Sequence, residues 1–135
     1  MRLLAATATT LLLCACTQQI PGDGRVGELG RPVQVTFALF HSESAANGCE
    51  GTGGYDDIGQ GTQARLTDEA NSLLGVASLG RGVAGSGVCT YRATFEDIDP
   101  TLPFYSVEVS DRGQISHSRA ELRVENWTFE ISLGA

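Results

Sequence analysis

From about residue 33 onward, apolar and polar positions alternate with a period of two. Val33, Val35, Phe37 and Leu39 alternate with Gln34, Thr36 and Ala38, the pattern of a strand with one face buried. Cys89, Tyr91, Ala93 and Phe95 repeat it, as do Tyr105, Val107 and Val109. The clearest case is Trp127, Phe129, Ile131 and Leu133, four large apolar residues set against Thr128, Glu130 and Ser132. Weaker strands are expected over 62–67 and 73–79, and a further one carrying His117 after Asp111-Arg112-Gly113. His41 is expected to end the first strand on its apolar face. Asp68 to Asn71 and Asp111 to Gly113 carry turn chemistry. A 3.6-residue period is absent over any useful length; Ser118–Arg123 allows one short helical turn. About seven short strands at this spacing predict an all-β domain. The expected architecture is an antiparallel β-sandwich, immunoglobulin-like or transthyretin-like, with a small β-barrel as the alternative.

The N-terminus belongs to another kind of segment. Arg2 is the only charge before Asp23, and the apolar stretch 3–15 is shorter than the roughly 20 residues a bilayer-spanning helix needs. A positive start, a short apolar middle and a small residue before the cut describe a secretory signal. Leu13-Cys14-Ala15-Cys16 resembles a lipobox, with Leu at −3, Ala at −1 and the acylated cysteine at +1. Cys14 is the poorer lipidation site, because bulky Leu13 would precede the cut. Plain secretion with cleavage after Ala15, or an uncleaved anchor, are the alternatives. The first is disfavoured by Leu13 where a small residue is preferred. Each buried CH₂ of an acyl chain adds about 0.8 kcal/mol, so a multiply acylated Cys16 stays in its membrane. The expected layout is a signal peptide over 1–15, lipidated Cys16 with a flexible tether to 32, and the sandwich over 33–135. The tether, with four Gly and two Pro over 17–32, reaches about 20–24 Å.

Composition narrows the partners. All nine basic residues are Arg, and with 16 acids the formal net charge is −7. Loss of the leader removes Arg2 and makes the domain more acidic still. Such an acidic domain is repelled by nucleic acid and by anionic lipid, so both are poor partners, and no nucleic-acid partner is expected. Discounting Cys14 and Cys16 leaves Cys49 and Cys89, and an even remainder in an exported chain points to a disulfide. Closing that loop stabilises by about 4 kcal/mol in the chain-entropy model. Cys89 falls on the apolar face of its strand, so the bridge is expected to face inward. Two free thiols or half of a metal site are the competing readings.

Motifs for catalysis do not assemble. Gly80-Arg-Gly82-Val-Ala-Gly85 fits a dinucleotide-binding pattern, but that chemistry needs a helix N-terminus beyond it, and Ser86-Gly87 leads into a strand instead. The Gly85-Ser86-Gly87 run lacks the nucleophile-elbow glycine at 84. A hydrolase site built from His117 with Ser116 or Ser118 is the third-ranked reading. Zinc is opposed by the spacing of His41, Cys49, Cys89 and His117. Calcium has two acidic loops to consider, Asp56-Asp57 and Glu96, Asp97, Asp99, neither with EF-hand spacing. No catalytic residue, metal ligand or cofactor site is assigned.

The most unusual segment is 48–61, with six glycines, an aromatic, three acids and a cysteine. Chains keep such glycine only for tight turns or close backbone approach. Tyr55, Asp56 and Asp57 are the candidate binding surface there, with Arg112 as companion. Against this stands a purely structural role, with Tyr55 and Ile58 pinning the loop to the core. Taken together, Cys49-x-Gly51-x-Gly53-Gly54-Tyr55-x-Asp57-Ile58, then Cys89, Tyr105-x-Val107-x-Val109 through Arg112-Gly113, and Trp127 resemble a family of small actinobacterial exported or lipid-anchored domains. The resemblance covers about 33–134 and departs at Ala64-Arg65-Leu66, where a more β-branched run is expected. It implies an exported sandwich and no activity, since the family's function is unassigned. The expected function is a non-enzymatic lipoprotein on the outer face of the cell membrane. Its loops would hold an envelope protein or other envelope component; a small-ligand or calcium-binding module is the alternative.

Overall fold

A computed structural model describes residues 29–134, so the leader, Cys16 and most of the tether lie outside the described residues. The chain runs β1 (Arg31–Phe40), α1 (Ser42–Ala46), β2 (Gln63–Asp68), β3 (Leu73–Ser78), β4 (Val83–Gly85), β5 (Val88–Ile98), β6 (Phe104–Val109), β7 (Gln114–Ser118), α2 (Arg119–Val124) and β8 (Thr128–Leu133). Two four-stranded sheets form, in the orders β4-β5-β1-β8 and β3-β2-β6-β7. They pack as a sandwich over one core, and neither closes into a barrel.

The alternation read from the sequence is what fills that core. Val33, Val35, Phe37 and Leu39 of β1 are each at most 1% exposed. Cys89, Tyr91, Ala93 and Phe95 of β5 lie beside them, in the register Leu39–Cys89, Phe37–Tyr91 and Val35–Ala93. Ala64 and Leu66 of β2 with Tyr105, Val107 and Val109 of β6 supply the opposing sheet. Asp97, at φ 56°, interrupts the β1–β5 register and turns Ile98 inward again.

Four features differ from the sequence expectation. Among the described residues there are eight strands rather than about seven; the extra one, β4, has only three residues and no alternation to reveal it. The sheet containing β1 is not wholly antiparallel, because β8 runs parallel to β1. Trp127 sits before β8 at φ 58°, buried against Tyr105 at a ring separation of 5.6 Å. Ile131 and Leu133 are half-buried, since β8 is an edge strand. His41 is the fourth. It lies past the end of β1 and caps α1, its Nδ1 accepting from the Ser44 amide at 3.3 Å. The short helix at 118–123 is close to the observed α2, which Ser118 and Glu121 close with a reciprocal capping box.

Strand directions give the sandwich two distinct ends. Arg31, Ile98, Phe104 and Thr128 lie at one end, where the described chain begins. Phe40, Val88, Gln63 and Leu133 lie at the other. The ten residues of β1 separate these ends by about 30 Å at a strand's rise per residue.

Candidate functional site

The long connection between β1 and β2 folds over the end remote from Arg31. Cys49 takes φ 65° and forms the disulfide with Cys89, Cα to Cα 5.6 Å, with both residues buried. The Tyr91 hydroxyl donates to the Cys49 carbonyl at 2.5 Å, a second tie between the loop and β5. Burial pushes the Tyr91 phenol above its ordinary value, keeping it a donor. A Cβ on Gly51 would meet the Tyr55 carbonyl oxygen at 1.9 Å, so only glycine lets the loop double back there. Ile58 plugs into the core, and the Thr62 hydroxyl accepts from the Gly59 amide at 2.9 Å while donating to the Asp57 carbonyl at 2.8 Å.

A third tie comes from the β6–β7 turn. The Arg112 Nε donates to Asp57 Oδ2 at 2.9 Å and its Nη2 bonds Asp57 Oδ1 and the Gly54 carbonyl. The guanidinium also lies 5.4 Å from the Tyr55 ring centroid, and His41 packs on that ring at 4.8 Å. The Arg112 hydrogen bond holds the Asp57 carboxyl at about 2, below its usual 3.8, with the Ser110 hydroxyl adding to the effect. Three of the four residues picked from sequence therefore meet, but they bind one another. They are the clamp on the loop.

The fourth, Asp56, faces elsewhere. It lines a cleft of about 840 Å³ between this loop and the segment leading into β4. Glu50, Gln60 and Arg81 line the same cleft. No ion pair among the described residues involves Glu50, Asp56 or Arg81, and all three charged side chains line this one cleft. Sequence reading missed Arg81, Glu50 and Gln60. The signal for Arg81 was its place between two glycines: a Cβ at Gly82 would meet the Cys49 Cβ at 2.6 Å, so the β3–β4 connection lies directly on the disulfide.

No protein-family model, curated protein or solved structure matches this chain.

The other chemistry weighed from sequence resolves into local structure. Ser116 and His117 point to opposite faces of β7; Ser116 pairs with the Ser106 hydroxyl at 2.6 Å, and His117 Nδ1 lies 3.3 Å from Glu121. The Ser118 hydroxyl accepts from the Glu121 amide as the cap of α2. His41 and Ser44 do approach at 2.8 Å, the bonding of a nucleophile and its base, but Ser44 is fully buried where no substrate reaches it. Gly80–Gly85 leads through β4 into a two-residue Ser86-Gly87 turn with both φ positive, as a tight hairpin requires. Asp99 caps the turn at Thr101. Among the described residues no three of His, Cys, Asp and Glu are placed to hold a metal ion, and no helix is long and apolar enough to cross a membrane.

Proposed function

We propose that this chain is a lipid-anchored lipoprotein of the cell envelope, of the exported actinobacterial kind it resembles. Its sandwich is a non-enzymatic binding module, and the cleft bounded by Glu50, Asp56, Gln60 and Arg81 is its recognition site for an envelope component. One observation carries the reading: the polarity of the sandwich. The chain enters at the Arg31 end, and the clamped loop and its cleft sit at the opposite end. Anchored through Cys16, the domain is attached at the end opposite the cleft, so the anchor leaves the cleft free for a partner. The buried Cys49–Cys89 disulfide suits the oxidising exterior of the membrane. A preorganised loop suits binding, because the disulfide, the Tyr91 bond and the Arg112 clamp remove most of its ordering cost beforehand.

Two variants test the two halves separately. Cys16→Ser releases the protein from membranes or leaves an unprocessed precursor, read by detergent partitioning; partitioning identical to the wild type refutes the anchor. Arg81→Ala leaves the melting temperature unchanged and abolishes capture of the cleft's occupant in cells. Undiminished capture refutes the cleft.

A further inference from the structure

The outer face of the β3-β2-β6-β7 sheet carries a second concavity, remote from the cleft. The β2–β3 turn curls over that face: Asp68 Oδ1 accepts from the Ala70 and Ser72 amides, and Asn71, at φ 64°, reaches across to Gln114 of β7. Gln114 Nε2 donates to Asn71 Oδ1 at 3.2 Å. This amide pair divides one trough into two compartments of about 210 and 600 Å³, together within the usual range of small-ligand sites.

The linings have a particular chemistry. In the larger compartment the bonded Ser106 and Ser116 hydroxyls are flanked by Phe104, a residue 50% exposed. The smaller one is lined by Arg65, Thr67, Asn71, Glu108 and Gln114. Arg65 and Glu108 lie opposite each other across β2 and β6 without forming an ion pair.

Beneath the trough β2 and β6 are paired on both sides, so their backbone groups are already bonded and an added peptide strand has no ladder to join. Recognition must come from side chains. Planar amides and paired hydroxyls match the vicinal hydroxyls of a sugar ring, donating and accepting at once. An exposed phenyl ring beside them offers a flat apolar surface for the ring's C–H face. The acids Asp68, Glu69 and Glu108 around the trough outnumber Arg65 and repel anionic glycans. We infer that this trough, from Phe104 across the Asn71–Gln114 bridge to Thr67, is a binding subsite for an uncharged oligosaccharide. It lies on the flank towards the Arg31 end of the domain, not at the cleft.

The test uses the full chain in a zwitterionic detergent free of sugar, titrated with cellotetraose, chitotetraose and maltotetraose. At least one binds with millimolar affinity or tighter by calorimetry. Phe104→Ala and Gln114→Ala, both at exposed positions, each weaken that binding by about tenfold or more while retaining the wild-type melting temperature. Phe104→Trp retains it, and Arg81→Ala in the cleft leaves it unchanged, which keeps this site separate from the proposed recognition cleft. No binding by any of the three sugars overturns the inference. So does binding indifferent to both Phe104→Ala and Gln114→Ala, which would place the sugar elsewhere.

Discussion

The Arg112 guanidinium grips both carboxylate oxygens of Asp57, a residue 55 positions earlier in the chain. The contact joins the tip of the β6–β7 turn to a glycine-rich loop that has no regular strand of its own. With the disulfide and the Tyr91 hydroxyl it makes a third fixed point, and the cleft inherits its shape from all three.

That grip is sensitive to acid in a defined direction. The Asp57 carboxyl is held at about 2 against an ordinary 3.8, so the ionised form is favoured in the folded state. Its contribution is complete above 3.8 and is lost as pH falls through about 2. Side chains about a third exposed screen the pair, so the effect is modest. Asp57→Asn lowers the melting temperature by about 2–6 °C at neutral pH, and the gap to the wild type closes as pH falls below the ordinary carboxylate value. A gap of constant size down to pH 2 would show that the ion pair does not support the loop.

The bridge has its own signature. Cys49 and Cys89 are 3% and 0% exposed, so reductant alone does not reach the sulfurs of the native domain. Thiol titration therefore finds neither cysteine in oxidised or reductant-treated native protein, and finds both only when reductant and denaturant are combined. Replacing both cysteines by Ala lowers stability by up to about 4 kcal/mol, less where the unfolded chain is compact. Two reactive thiols in the untreated, native protein would contradict the pairing.

Two glycines of the β3–β5 region separate close packing from turn freedom. A Cβ on Gly82 would lie 2.6 Å from both the Cys49 Cβ and the Tyr91 ring, whereas a Cβ on Gly85 meets nothing within 4 Å. Gly82→Ala costs about 1–3 kcal/mol by overpacking, and Gly85→Ala is close to neutral. Equal denaturation midpoints for the two variants would mean that the Arg81 segment is not seated on the disulfide.

The long strands were legible because one face of each is buried and a period of two follows. Val33 to Leu39 and Cys89 to Phe95 stand in register in the same sheet, as their patterns require. What stayed hidden is tertiary. Val83-Ala84-Gly85 is too short to alternate, and the parallel pairing of β8 with β1 leaves no mark in either strand. His41 read as the end of a strand because the capping role depends on five helical residues, Ser42–Ala46, with no apolar stripe. For the site, glycine density located the loop and Arg112 was a fair companion to Asp57. That the two would satisfy each other could not be read, since it needs the β6–β7 turn brought beside the loop. Glu50, Gln60 and Arg81 were missed for the same reason: the cleft is assembled from separate segments by the disulfide.

The central claim is that the cleft is the recognition surface, and a photocrosslinking residue placed in living cells tests it most directly. It is installed at Gln60, in the cleft, and separately at Glu130, an exposed position on β8. A recognition cleft gives one discrete adduct from Gln60 and none from Glu130, with the Gln60 adduct lost in Arg81→Ala and retained in Phe104→Ala. Adducts of the same pattern from both positions, or none from Gln60 in the membrane-anchored protein, would contradict it.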